Sequence, residues 1–356
     1  MNDINYKWLE SARLLRKKTQ KETAEALGIS QGKLSKAERG DQNLPALTLS
    51  KLADFYDVPV DYFCQEWDPT PVAHIFFRRK VTISTKIIDS ISEEVRRRKC
   101  AIDELMRAVD LPEYDLGFYP LQNGMTIENV VAKIRYKLKC INGPLTELSK
   151  RLENHGIIIQ MFDFGTDKMD GMTTVTSHGR KVIFLNSLMP NDRIRFSLAH
   201  ELGHLVMHID DIPNDERDVE DEANKFASQL LMPSSEIKLQ LYNLNINKLM
   251  DLKQRWKVSM RSLVKRAYDL GTITPETYRN FQIIFSKRGY NKIEPIILQP
   301  ERITILENVI KLYQEELGYN DNYLMKIMRL NKNDYFSWFP TQRSPFIISI
   351  NKSLLK

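Results

Sequence analysis

Two histidines four residues apart, with a glutamate beside the first, lie in FSLAHELGHLVMH, residues 196–208. On a helix, positions four apart share a face about one turn apart. His200 and His204 can therefore aim imidazole nitrogens at one metal ion. Glu201 adjoins the first of them but is turned aside. It is placed to take the proton of a water activated at the metal as that water attacks a carbonyl. Ile194, Leu198, Leu202, Leu205 and Val206 give the same helix an apolar side, and Gly203 allows close approach of a neighbour.

This His-Glu-x-x-His order is that of zinc metallopeptidases, and a catalytic zinc needs a third protein ligand as well as an open position for water. The longer form with a third histidine would require Gly at 207 and His at 210, where the chain has Met207 and Asp210. His208 is two turns from His200, roughly 12 Å, and cannot easily share an ion with both other histidines. It reads as a supporting or a surface residue. A carboxylate on a following helix is the remaining source, and DVEDEANKF supplies one. Glu220 and Asn224 are one turn apart, so Glu220 can complete the metal set while Asn224 bonds the outer nitrogen of a ligating histidine. Glu222 is the second choice for the ligand. Two histidines and a carboxylate suit Zn²⁺ and leave Mn²⁺ open.

The elements that must position these residues read as follows. Helices are expected over Ile127–Leu138 and Leu145–Asn154, separated by the Asn142-Gly143-Pro144 turn. Strands are expected in GIIIQMFDF after Gly156 and in Val182–Asn186. The histidine helix comes next, then an acidic loop at Asp210–Asp218 and the carboxylate helix ending at Pro233, with more helices to about residue 285. WDPTPVAHIFFRRK, from Trp67, reads as a boundary before a long helix whose apolar side is Ile91, Val95, Ile102, Leu105 and Met106. That helix carries Arg96-Arg97-Arg98-Lys99, a run that usually marks a solvated face and otherwise a phosphate contact. Ile303, Leu306, Val309, Ile310 and Leu312 show helical spacing in the tail, for which core packing is the simplest account.

The first 66 residues read as four or five short helices. TQKETAEALGISQGKLSKAERG, residues 19–40, has helix–turn–helix spacing: Gln20–Leu27, a turn at Gly28-Ile29-Ser30, then Gln31–Glu38. Ser30 can cap the second helix. Residues 11–40 hold eight Lys and Arg against three Glu, a basic face of the kind that neutralises phosphates. Ser30, Gln31, Lys33, Ser35 and Lys36, at the start of the second helix, are the expected DNA contacts; Gln pairs with adenine and Lys donates to guanine.

Composition agrees with such a protein. Its 356 residues are 42% hydrophobic and 28% charged with a net charge of +6, which suggests two or three globular domains and permits a polyanionic partner. No apolar run reaches about 18 residues, so no membrane partner is expected. Cys64, Cys100 and Cys140 form no CxxC pair or even framework, and the start has no leader pattern, so a reducing, cytoplasmic setting is expected.

Residues 8–63, through LADFYDVPVDYF, resemble the Xre-type helix–turn–helix domain of phage repressors. RFSLAHELGHLVMH followed by VEDEANKFASQLLMP resembles the ImmA/IrrE metallo-endopeptidases, a likeness that spans about 125–290. Together they imply a mainly α protein with a small β-sheet (α+β): an Xre-like domain over 1–66, a basic linker and helical region over 67–125, a gluzincin-like metallopeptidase domain over 126–290, and a C-terminal region of unassigned role over 291–356. The second resemblance implies zinc at His200, His204 and Glu220, Glu201 as the catalytic residue, and cleavage of a protein substrate. That substrate is typically a DNA-bound repressor, in stress response or mobile-element control. Double-stranded DNA is the other expected partner, and a homodimer is left open. Self-cleavage is a variant of this reading; the alternative is a non-enzymatic transcription factor or antitoxin whose peptidase-like domain only senses a metal or partner. The residue that stabilises the transition state is unplaced, with His178 and Tyr242 the positions considered.

Overall fold

The computed structural model describes residues 4–68, 83–209, 217–339 and 349–350. Most of the proline-bearing boundary segment, most of the acidic loop and most of the last seventeen residues lie outside them. The chain forms two compact units. One comprises residues 1–111, 175–180 and 304–356, the other 112–174 and 181–303. Both are dominated by helices, and among the described residues no helix is long and apolar enough to cross a membrane.

The chain begins with α1 (Lys7–Leu15), α2 (Gln20–Leu27), α3 (Gln31–Glu38) and α4 (Ala46–Tyr56), followed by a 3₁₀ turn over Val60–Cys64. Thr19 and Glu22 form a capping box at the start of α2. The Ser30 hydroxyl accepts the Lys33 amide at the start of α3, and a cap of this kind is worth about 1 kcal/mol. Trp8, Leu52, Tyr56, Tyr62 and Phe63 are wholly buried together. The Trp8 indole donates to the Gln65 carbonyl at 3.1 Å, so burial leaves its N–H satisfied. Next comes α5 (Thr85–Leu105), then the short strand β1 (Val109–Asp110).

The second unit opens with α6 (Ile127–Lys137) and α7 (Leu148–Asn154), then β2 (Ile157–Phe162), β3 (Gly171–Val175) and β4 (Lys181–Asn186). The strands form one sheet in the order β2-β4-β3, with β2 and β4 parallel and Ile159 opposite Ile183. Every residue of β4 after Lys181 is buried, as expected of a central strand covered on both faces. β3 is an edge strand that the sequence reading did not identify.

Two helices then pack against each other, α8 (Asn191–Met207) and α9 (Val219–Leu231). The α-helices α10 (Ser234–Ile237), α11 (Ile246–Trp256), α12 (Met260–Asp269) and α13 (Pro275–Lys287) complete the unit. Arg195, buried on α8, ties that helix to the Leu145 carbonyl and to Glu301.

The tail supplies α14 (Ile305–Leu317), α15 (Asp321–Ile327) and α16 (Lys332–Trp338), and β5 (Ser349–Ile350), which pairs antiparallel with β1. Ile305, Leu306, Val309 and Tyr313 are buried on α14, and the Tyr313 hydroxyl donates to the Leu105 carbonyl. The tail is therefore part of the first unit's core.

Candidate functional site

The histidine helix is a core helix. Ile194, Leu198, Leu202, Leu205 and Val206 are all buried, which fixes its rotation and with it the direction of His200 and His204. Helix α9 begins beside it. Its N-terminus is capped by Asp218, whose side chain accepts the Asp221 amide, and Ala223, Phe226, Ala227, Leu230 and Leu231 bury its inner face. Gly203 sets how closely the two helices approach. A Cβ there would lie 3.0 Å from Phe226 Cδ1 and 3.4 Å from Ala223 Cα.

That approach brings together His200, His204 and Glu220. The two Nε2 atoms stand 3.0 Å apart. Glu220 Oε2 is 3.6 Å from the first and Oε1 is 3.3 Å from the second. In tetrahedral coordination, ligand atoms about 2.0–2.1 Å from zinc stand about 3.3 Å from one another. Two imidazole nitrogens and a carboxylate oxygen at these separations are a donor set that fits a zinc-sized cation. With the two Nε2 atoms 3.0 Å apart and the carboxylate against both, one cation can engage all three groups. The His200 and Glu220 side chains keep 14% and 17% exposure, so the cluster reaches solvent on one side, where water or a substrate can enter.

Electrostatics within the cluster are coupled. Burial alone would raise the Glu220 carboxyl, but hydrogen bonds to His200 and His204 hold it down at about 2. Burial likewise disfavours a charged His200, yet Glu220 and Glu201 raise it above the ordinary histidine range. A carboxylate that stays ionised beside two imidazoles is a standing attraction for a cation.

The outer nitrogens are also engaged. His200 Nδ1 is 3.1 Å from Asn224 Oδ1, one turn along α9 from Glu220. His204 Nδ1 is 3.0 Å from His208 Nδ1. The sequence reading left His208 between a supporting and a surface position; it is wholly buried. Its Nε2 is 2.9 Å from Glu222 Oε2, and Glu222 pairs with Arg217 at 2.8 Å. Burial and the neighbouring His204 push the His208 ring down to about 4, so it is neutral at ordinary pH. Glu222, second choice as a ligand, faces His208.

Glu201 lies on the sheet side of α8. Thr173 of β3 donates its hydroxyl to Glu201 Oε2 at 2.8 Å and also lies 2.9 Å from the Glu201 carbonyl. Gly171 of the same strand leaves room for the carboxylate, since a Cβ there would sit 2.9 Å from Glu201 Cγ and 3.1 Å from Oε1. Burial raises the Glu201 carboxyl above its ordinary value, which makes it a better proton acceptor near neutral pH. The sequence reading identified neither Thr173 nor Gly171. The spacing of His208 four residues past His204 was a usable signal for choosing the supporting position. His178, one of the two positions considered for stabilising a transition state, is paired with Asp103 at 3.0 Å.

On the N-terminal helices, Ser30, Gln31 and Lys36 are exposed and Lys33 and Ser35 half-buried, while Leu34 and Ala37 face the core. The basic face is thinner than its composition suggests. Arg13 turns inward to a buried Glu38 at 2.7 Å, and Arg16 donates to the Tyr56 and Asp57 carbonyls. Lys17, Lys18 and Lys21 remain exposed. The Arg96–Lys99 run is neither a solvated face nor a phosphate contact. Arg97 pairs with Asp334 and Glu94, Arg98 with Glu94, and Lys99 with Asp68, while Arg96 lies over the Trp67 ring.

Comparison with known families places two domains on this geometry. Residues 9–63 match the helix-turn-helix model, and residues 152–268 match the IrrE N-terminal-like domain of peptidase family M78. The second match covers β2 to β4, α8 and α9, hence every residue of the cluster. A search of curated proteins finds no match. The chain thus carries a segment similar to helix–turn–helix domains, followed by one similar to the IrrE N-terminal-like domain of peptidase family M78.

Proposed function

We propose that the protein is a DNA-binding transcriptional regulator with zinc-dependent endopeptidase activity, acting on a DNA-bound repressor or on a copy of itself. The observation that carries this reading is the convergence of His200 Nε2, His204 Nε2 and the Glu220 carboxylate, all ligand atoms within 4.8 Å, with Glu201 beside them. His200, His204 and Glu220 hold the metal, and Asn224 orients His200 from behind. Mn²⁺ is the other ion this donor set accepts. When bound, zinc supplies the Lewis acidity that activates a water and polarises a peptide carbonyl.

Glu201 moves the proton. Thr173 occupies Oε2, which leaves Oε1, on the side kept open by Gly171, to take a proton from the attacking water. The same carboxyl then delivers it to the departing amide nitrogen. Ser30, Gln31, Lys33, Ser35 and Lys36 of the helix–turn–helix serve double-stranded DNA, with Gln31 and Lys33 as base readers.

Glu201→Gln separates enzyme from sensor. The purified full chain is loaded with zinc, and its metal content and its cleavage of itself and of an operator-bound Xre-type repressor are measured. Wild-type cleavage that disappears in a Glu201→Gln variant with full zinc content is the expected result. Zinc-loaded wild type that cuts neither substrate would refute the peptidase reading and leave a metal-sensing regulator.

A further inference from the structure

We infer that His208, Glu222 and Arg217 form a relay that fixes the tautomer and orientation of His204 and so sets how tightly the centre holds its metal. The inference rests on the metal site proposed above. Its evidence is the run of contacts from His204 Nδ1 to His208 Nδ1 (3.0 Å), His208 Nε2 to Glu222 Oε2 (2.9 Å), and Glu222 to Arg217 (2.8 Å).

Ligation through His204 Nε2 sets the hydrogen-bond polarity along this run. A metal-ligating imidazole offers the lone pair of one nitrogen and carries its proton on the other. If His204 Nε2 is the ligand, its proton is on Nδ1 and must be donated. The group facing Nδ1 is a second imidazole, which accepts only if its own Nδ1 is bare. His208 must therefore carry its proton on Nε2, where an acceptor has to be present. Glu222 Oε2, 2.9 Å away, is that acceptor. The opposite polarity would place the His204 proton on Nε2, blocking ligation, and would turn a bare His208 Nε2 toward a carboxylate. Arg217, at 3.2 Å and 2.8 Å from the two Glu222 oxygens, holds that carboxylate in place.

The two ligating histidines are thus supported differently. His200 leans on a neutral amide from α9. His204 leans on a buried imidazole that ends in a charged pair, so more electron density is directed toward its ligand nitrogen. Outer partners of this kind typically change metal affinity by about 10- to 100-fold.

The test uses the full-length protein and zinc alone. Zinc affinity is measured by competition with a chromophoric chelator for wild type, His208→Ala, Glu222→Ala and Glu222→Gln, alongside the thermal midpoint of each metal-free protein. The expected result is a loss of about 10- to 100-fold for both alanine variants and a smaller loss for Glu222→Gln, which retains an acceptor. Nitrogen-15 spectra of histidine-labelled, zinc-loaded protein should show His204 protonated at Nδ1 and His208 at Nε2, a signature that mere packing would not impose. Because Glu222 is partly exposed, its variants keep the test decisive if His208→Ala fails to fold. Wild type that binds no zinc overturns this inference together with the proposed function. Tight binding by wild type with unchanged affinity in the Glu222 variants, or a His208 proton on Nδ1, overturns the relay alone.

Discussion

At the scale of single residues, Thr173 makes the sharpest claim. Its hydroxyl has one proton and two neighbours, the Glu201 carboxylate and the Glu201 carbonyl. With Glu201 ionised the proton goes to Oε2; with Glu201 protonated the hydroxyl can accept from the carboxyl and donate to the carbonyl instead. Thr173 therefore satisfies Glu201 in both states a proton carrier must visit. Thr173→Val keeps the branched shape of the strand residue and removes only this bond. We predict that kcat for peptide cleavage falls about tenfold while zinc affinity stays within twofold of wild type, read by steady-state kinetics and chelator competition. A parallel loss of zinc would show that Thr173 supports the metal ligands rather than Glu201. That His200 and His204 share one face was legible from spacing alone, because i to i+4 on a helix is a geometric certainty once the helix is granted. Thr173 was not, because nothing in the sequence links a threonine to a glutamate 28 positions on.

At the scale of elements, the site depends on how closely α8 and α9 cross. The two helices were legible as amphipathic segments, but their contact was not. It is set by Gly203 against Phe226 and Ala223. Gly203→Val adds branched bulk where even one carbon would be tight. Overpacking of this kind costs about 1–3 kcal/mol, and the helices separate to relieve it. Because Glu220 rides on α9 and the histidines on α8, separation should cost zinc affinity as well as stability. We predict a lower thermal midpoint and at least about tenfold weaker zinc binding, both partly restored by a second change, Phe226→Leu, that makes room. Unaltered affinity in a destabilised Gly203→Val protein would mean that the carboxylate reaches the metal independently of the crossing. The edge strand β3 was missed for a related reason. Its core, MTTV, is a less apolar run than GIIIQMF, since threonine reads as polar although Thr173 and Thr174 are buried. The basic run on α5 misled in the opposite direction. Charge in sequence suggests solvent, but Arg97 and Arg98 are each 3% exposed, stacked on Trp338 and paired with acids on α5 and α16. Asp334→Ala leaves the buried Arg97 with one carboxylate partner fewer. It should destabilise the first unit by about 3 kcal/mol, measurable by urea unfolding, with zinc affinity unchanged.

At the scale of the whole molecule, the proposed peptidase role would give the joining of a helix–turn–helix domain to an M78-like domain a kinetic use. A protease that binds DNA near its substrate turns a bimolecular encounter into an intramolecular one, at an effective concentration that reaches millimolar for short linkages. The rate advantage then depends on α3 and not on the metal centre. Gln31 and Lys36 are exposed on that helix and far in sequence from α8 and α9. A Gln31→Ala, Lys36→Ala variant should therefore cleave a repressor free in solution at the wild-type rate. The same repressor bound beside the protein's own operator should be cleaved at least about tenfold more slowly. Loss of one phosphate contact should also lower the salt dependence of DNA binding by about one unit of log–log slope. Raising the salt concentration should then slow wild-type cleavage of the bound substrate toward that of the variant, because the tether is electrostatic and the chemistry is not. Paired cleavage rates on bound and free substrate across a salt series test this directly. Equal slowing on both substrates would place these α3 residues in peptidase function, and no slowing on either would remove DNA tethering from the mechanism.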